Sequence, residues 1–163
     1  MSKQHLTAIK RRNLSAPANW LYLNRHLPFP GMPNYYSILD YGCGRGDDVR
    51  HLTELGYDAR GYDPHWGPEA EPWFEWPGVR FDVVLCTYVL NVVEPGPNRY
   101  HILDALRRCV KPEGRIFVTV RRDIKIDYTS SRGTKQWVVH SLGRMPNKKL
   151  IENSQFCIWE LSP

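Results

Sequence analysis

The residues best placed to do chemistry cluster in the stretch 38–52, ILDYGCGRGDDVRHL. Asp40 comes first, then glycines at 42, 44 and 46, then the adjacent pair Asp47 and Asp48. Glycines at alternate positions bare the main chain, so a ligand can approach the backbone closely, and they adopt conformations other residues resist. Another aspartate, Asp63, follows about 20 residues after the turn, the spacing at which an acid reaches the ribose of a bound nucleotide.

Two ligand classes suit a turn that starts Gly-x-Gly. A dinucleotide brings a pyrophosphate and asks for a third glycine where this chain has Asp47. Asp47 and Asp48 already occupy the favourable dipole end of the helix they open. They would repel a poorly solvated pyrophosphate by roughly a few kcal/mol. S-adenosylmethionine carries no phosphate. Its sulfonium and ammonium gain from nearby carboxylates, with Asp40 and the glycine turn at the methionine end and Asp63 at the ribose hydroxyls. The position of Asp63 serves either ligand; the charge separates them and disfavours an NAD-dependent oxidoreductase.

These side chains need a scaffold that brings the turn and Asp63 together. Residues 36–40 read as a strand. Helical spacing begins at about Asp47, with Val49, Leu52 and Leu55 on one face and Gly56 as its C-terminal cap. Residues 57–62 read as the next strand, which completes a βαβ unit. Pro64, Pro68, Pro72 and Pro77 crowd a tryptophan-rich region, so a third strand is trimmed or missing there. Residues 81–87 form a near-continuous β-type run, as in a central parallel strand covered on both faces. Residues 99–110 are helical through Ile102, Leu103, Leu106, Cys109 and Val110, KPEGR at 111–115 is a turn, and 116–120 is a buried strand. Residues 135–140 and 156–161 are expected to pair antiparallel across a loop-like basic stretch. Upstream, Ser15 caps a helix opening at Ala16-Pro17 and carrying Trp20, Leu21, Leu23, Asn24 and Leu27; Pro28, Pro30, Gly31 and Pro33 end it. The expected fold is α/β, a Rossmann-like open, mostly parallel sheet with an antiparallel edge pair. It forms one domain, with a helical cap at 1–35 and a core at 36–163.

At these residues the chain resembles the class I S-adenosylmethionine-dependent methyltransferases. ILDYGCGRG is similar to their first motif, GYD to the second, FDVVLCTYVLNVV to the fourth, and LRRCVKPEGRIFVTV to the closing helix, turn and strand. With TAIKRRNLSAP, GYDPH and YVLNVVE added, it resembles the bacterial putative methyltransferases associated with DNA phosphorothioation. The resemblance implies S-adenosylmethionine as cofactor. It implies cofactor contacts at Asp40, Gly42, Cys43, Gly44, Asp63 and Pro64, and at Cys86, Thr87 and Tyr88 after the fourth strand.

Methyl transfer from a sulfonium is an in-line displacement, so alignment and a dry site are the protein's main tasks. A general base is needed only for a nucleophile that carries a proton at neutral pH. Acceptor-side candidates stand at strand ends: Tyr88, Asn91 and Asp123, with His65, Arg121 and Arg122 beside them. Arg11 and Arg12 lie on a segment that either covers the site as a lid or forms a solvated helix face. Cys86-Thr87-Tyr88-Val89 stands where amino-group DNA methyltransferases carry D/N/S-P-P-Y/F, and the chain has no Pro-Cys dipeptide. Sequence-specific methylation of DNA by this chain alone is therefore disfavoured. A small molecule, a nucleotide, RNA or a protein stays open as acceptor. The alternative is a non-catalytic module that binds S-adenosylmethionine or accompanies nucleic acid.

Composition sets the outer bounds. The 163 residues are 42% hydrophobic and 12% aromatic, enough for a real core. The four cysteines are single, with no C-x-x-C pair, so neither a metal site nor a disulfide framework is signalled. No apolar run approaches a membrane span, and a cytoplasmic protein is expected. The net charge of +5 is uneven: residues 40–120 carry −4, whereas 1–39 carry +5 and 121–150 carry +6. Two basic flanks around an acidic middle suit an anionic acceptor.

Overall fold

The computed structural model describes residues 10–29, 36–66 and 78–163. Its centre is a six-stranded sheet built from β1 (Ser37–Tyr41), β2 (Asp58–Tyr62), β3 (Phe81–Thr87), β4 (Val110–Arg121), β7 (Asn147–Glu152) and β8 (Phe156–Leu161). The spatial order is β2-β1-β3-β4-β8-β7, parallel from β2 to β4 and antiparallel where β8 joins β4 and β7 joins β8. This is the Rossmann-like arrangement with an antiparallel edge. Among the described residues no strand lies between β2 and β3. The third-strand expectation therefore concerns residues 67–77, which lie outside the described ones, as do 30–35 of the expected proline loop.

Side-chain alternation along β3 and β4 explains why both faces are covered. Val84, Cys86, Ile116, Val118 and Val120 face α3 (Pro97–Cys109) through Leu103, Leu106 and Cys109. Val83, Leu85 and Phe117 face the other way, against Leu21 of α1 (Ala16–Leu23) and Leu52 of α2 (Asp47–Glu54). Burial on two faces is why these strands read as unbroken apolar runs.

The helix ends follow local chemistry. Ser15 Oγ accepts the Ala18 N–H at 3.3 Å, as expected of the α1 cap. Leu23, expected among the α1 apolar positions, is 65% exposed. At the end of α2 the Gly56 N–H donates to Thr53 O at 2.9 Å and the Tyr57 N–H to Leu52 O at 3.1 Å. With Gly56 at φ 95° this is a Schellman cap, and buried Tyr57 and Leu52 supply its apolar contact.

Two expectations are corrected. KPEGR is not a turn ahead of β4 but a bulge within it: Phe81 pairs with Val110 and Val83 with Arg115, and 111–114 loop out. Lys111 Nζ ties the bulge to Asp82 at 2.8 Å, and a Cβ on Gly114 would lie 2.8 Å from Asp82 O. Nor is the antiparallel partner of β8 the segment 135–140. Only Lys135–Gln136 is a strand (β6), and it pairs with β5 (Tyr128–Thr129) in a separate two-stranded sheet. The partner, β7, arises from the stretch read as loop. Asn153 Oδ1 accepts the Gln155 and Phe156 N–H groups at 2.8 and 2.9 Å, and that turn folds 147–152 back onto β8. The lysines of β7 hid it: charge along an outer edge looks like a loop but serves to blunt an exposed strand.

Candidate functional site

Between β1 and β3 the order of strands reverses, because the chain leaves β1 toward β2 and returns on the opposite side. Ligands of open α/β sheets bind at this switch, beyond the carboxyl ends of the strands. A cavity of about 480 Å³ lies there, walled by the first βα turn, the end of β2 through Trp66, and the segment after β3.

The turn is shaped by its glycines. Gly42, Gly44 and Gly46 have φ of 81°, 55° and 73°. At Gly42 a Cβ would stand 2.3 Å from Val89 Cγ2, so only glycine fits between β1 and the segment after β3. The Gly42 and Cys43 N–H groups donate to Tyr62 O at 2.6 and 3.0 Å, fastening the turn to the end of β2. Asp63 completes the link: its carboxylate accepts the Gly44 N–H at 3.0 Å and the His65 N–H at 2.8 Å. The rings of Tyr41 and Tyr62, 5.1 Å apart, form one wall, and Arg45 lies 4.7 Å over the Trp66 ring.

Seven of the nine residues expected at the cofactor line this cavity: Gly42, Cys43, Gly44, Asp63, Pro64, Thr87 and Tyr88. Asp40 and Cys86 are buried, off its wall. Burial, with Asp48 and Asp63 adding to it, pushes the Asp40 carboxyl up to about 8, against the smaller opposing effect of Arg11. Burial pushes the Cys43 thiol up to about 12 and the Cys86 thiol higher still, so both stay protonated.

Asp47 and Asp48 hold the chain itself. Asp47 Oδ2 accepts the Arg11 N–H at 2.6 Å; Asp48 Oδ1 accepts the Ser15 N–H at 2.6 Å, and its Oδ2 meets Arg11 Nη1 at 3.0 Å. Both carboxylates are buried. Residues 11–15 are thus strapped over the start of α2, and Arg11 reaches the cavity wall. Arg12 is exposed.

The acceptor candidates separate. Tyr88 lines the cavity in a left-handed conformation, φ 66°, fixed by its N–H donating to Thr119 O at 2.8 Å. Burial pushes its phenol up to about 12, so at neutral pH it is a neutral donor and not a base. Asn91 is fully buried, and both ends of its amide are bonded to main chain: Nδ2 donates to Trp137 O at 2.9 Å and Oδ1 accepts the Arg121 N–H at 2.8 Å. It is not among the residues that line the cavity. Asp123 is paired with Arg121, whose Nε donates at 2.9 Å, and this pulls its carboxyl below the usual range. Arg122 turns from the cavity toward Glu152 and Val139 O. Val89, Val92, Val93, Ile102 and Gln136 also line the cavity. Gln136 carried no signal in the sequence, being a lone amide in a basic stretch. Among the described residues no cluster of metal-ligating side chains exists.

A family model described as a methyltransferase domain matches residues 8–151. The fold is similar to that of 1,6-didemethyltoxoflavin-N1-methyltransferase from Burkholderia thailandensis, solved with 1,6-didemethyltoxoflavin and S-adenosylhomocysteine, at 21% identity and TM-score 0.62 over 90% of this chain and 76% of that one. It is similar to the PH0226 protein of Pyrococcus horikoshii OT3, at 15% identity and TM-score 0.62 over 93% and 92% of the two chains. A TehB-like SAM-dependent methyltransferase from Corynebacterium glutamicum matches at 16% identity and TM-score 0.55, over 90% and 95%. No curated protein matches by sequence.

Proposed function

Because the chain belongs to the methyltransferase-domain family, we propose that it transfers the methyl group of S-adenosylmethionine to an acceptor admitted beside Tyr88 and Arg121. One observation carries the choice of cofactor. The first turn of α2 carries the Asp47 and Asp48 carboxylates, which accept the Arg11 and Ser15 N–H groups, while Asp63 and bare main chain face the same cavity. Such a site accommodates a cationic, phosphate-free nucleoside and refuses a pyrophosphate. The neighbour bound to S-adenosylhomocysteine supports the same reading.

S-adenosylmethionine, when bound, supplies an electrophilic methyl group on a cationic sulfur. The residues that would hold it are Gly42, Cys43 and Gly44 at the turn, Asp63 and Pro64 after β2, and Thr87 and Tyr88 after β3, with Asp40 and Cys86 behind them. Asp63 spends one hydrogen bond per oxygen on main chain and keeps acceptor capacity for ribose hydroxyls. Tyr41, Tyr62, Tyr88 and Val89 exclude water, which strengthens each polar contact inside. With Tyr88 neutral and the thiols protonated, these groups orient the ligands, and His65 and Asp63 are wall residues left to take a proton where an acceptor releases one.

The strap at 11–15 supports the expected division into a cap at 1–35 and a core at 36–163. Arg11 and Arg121 on the wall are each paired with a carboxylate, Asp48 and Asp123, so they lend no weight to the anionic acceptor expected from the basic flanks. The likeness to phosphorothioation-associated methyltransferases supports a setting in nucleic-acid modification. A cytoplasmic location suits cysteines that stand as thiols and not as disulfides among the described residues. No helix among the described residues is long and apolar enough to cross a membrane.

Calorimetry with S-adenosylhomocysteine tests the proposal. Saturable heat is expected, with a rise in thermal midpoint; at a hundredfold excess over Kd the stabilisation is about 2.7 kcal/mol. Asp63→Ala is expected to weaken binding at least about tenfold, or 1.4 kcal/mol. Absence of both signals, or binding of NAD instead, would reject it.

A further inference from the structure

Two side-chain polar atoms among the described residues are buried without a hydrogen-bond partner: Arg99 Nη2 and Gln136 Oε1. Only Gln136 belongs to the cavity wall. Buried polar atoms without partners are rare in folded proteins, because losing water without replacing it costs free energy. One that persists on a cavity wall points to a group the cavity receives.

The side chain is also held in place. Gln136 is only 3% exposed. Its backbone pairs with Tyr128 in the small β5–β6 sheet. The next residue, Trp137, is gripped by Asn91 twice: the Trp137 N–H donates to Asn91 O at 2.8 Å and Asn91 Nδ2 donates to Trp137 O at 2.9 Å. Asn91 ends the 3-10 turn Val89–Asn91 that Tyr88 opens, so the hairpin is fixed to the segment after β3 that carries Tyr88. A glutamine so restrained loses little side-chain freedom when a ligand meets it.

The segment after β3, to which Asn91 ties Trp137, brings Val89, Val92 and Val93 to the wall with Tyr88, and Ile102 of α3 lines the same cavity. Polar groups are few and fixed against apolar walls where a pocket selects a small molecule. We propose that this end of the cavity is the methyl-acceptor subsite, and that Gln136 is its specificity-determining residue. It takes a compact, largely apolar molecule carrying an N–H or O–H donor, which Gln136 accepts. This rests on the methyltransferase reading above and adds to it the chemical class of the acceptor.

Matched probes isolate the donor. Indole and 1-methylindole, and phenol and anisole, share shape but differ in whether they can donate. Saturation-transfer NMR on the full chain saturated with S-adenosylhomocysteine is expected to show each donor bound at least about fivefold more tightly than its methylated partner. Gln136→Met is expected to abolish that preference and leave S-adenosylhomocysteine affinity unchanged. It is also expected to raise the thermal midpoint, since it removes an unsatisfied buried oxygen, whereas loss of a merely structural residue would lower it. Gln136→Glu, which keeps an acceptor, should retain the preference. The inference is overturned if Gln136→Met leaves the donor preference intact, or if no probe binds while S-adenosylhomocysteine does. Failure of S-adenosylhomocysteine itself to bind would instead reject the underlying function.

Discussion

Single residues at the glycine turn act through the space they leave. Gly42 sits at φ 81° with Val89 Cγ2 where its Cβ would go. Gly42→Ala combines about 1–2 kcal/mol for a left-handed alanine with about 1–3 kcal/mol of overpacking. The expected loss is roughly 2–5 kcal/mol in urea unfolding, and adding Val89→Ala should recover part of it. A Gly42→Ala protein as stable as its parent would show that the close approach carries no weight. The need for glycine at 42 was legible in the spacing, because few residue types tolerate such a turn. The roles of Asp47 and Asp48 were half legible. Their charge argued against a phosphate, and their position at the helix start fits that argument. That they are buried and bond residues 11–15 was not legible, because those partners lie over 30 positions away in the chain. Asn91 stood out by its place after β3, but that its amide bonds Trp137 O and the Arg121 N–H was not legible; Gln136 gave no usable signal, since a lone amide looks alike on a surface and on a cavity wall.

Elements meet the site through their ends. α2 starts in the glycine turn and stops at a Schellman cap, so its length and place are set by local chemistry. The strap at 11–15 is different: it is held by Asp48, which accepts the buried Ser15 N–H and the Arg11 guanidinium. Asp48→Ala leaves that N–H without a partner, at a cost of about 1–3 kcal/mol. Hydrogen exchange at 11–15 is expected to accelerate by at least about tenfold, with the amides of β3 unchanged at matched stability. Unchanged exchange at 11–15 would mean that something other than Asp48 holds the strap. Boundaries of β1 to β3 and of α2 came within about one residue of expectation, because caps and apolar runs mark them, whereas α1 stops at Leu23 and leaves the expected Asn24 and Leu27 outside the helix. β7 escaped because its alternation is masked by lysines and its partner is supplied by a hairpin turn.

At the scale of the whole molecule, the sheet order places three strand ends around one cavity and buries Asp40 beside it. Asp40 holds its proton up to about pH 8 in the folded chain, whereas a carboxyl in the unfolded chain releases it at about 3.9. The folded state therefore binds more protons than the unfolded state between these values, and stability from this group falls as pH rises through that window. Asp40→Asn is expected to flatten the slope and to exceed its parent in stability at about pH 8, measured by urea unfolding across about pH 5 to 8. A parent whose stability is level over that range would contradict the burial of an uncharged Asp40. Sequence alone determined the alternating α/β order, the glycine turn, the aspartate at the end of β2 and the phosphate-free character of the ligand. Each of these is written in residues close together in the chain, where steric limits, capping and charge act locally. Only the tertiary structure decided that Asp47 and Asp48 anchor a distant strap, that β7 forms the sheet edge, and that Gln136 reaches the cavity. Those outcomes depend on contacts between remote segments, which form when the sheet closes its order and buries both faces.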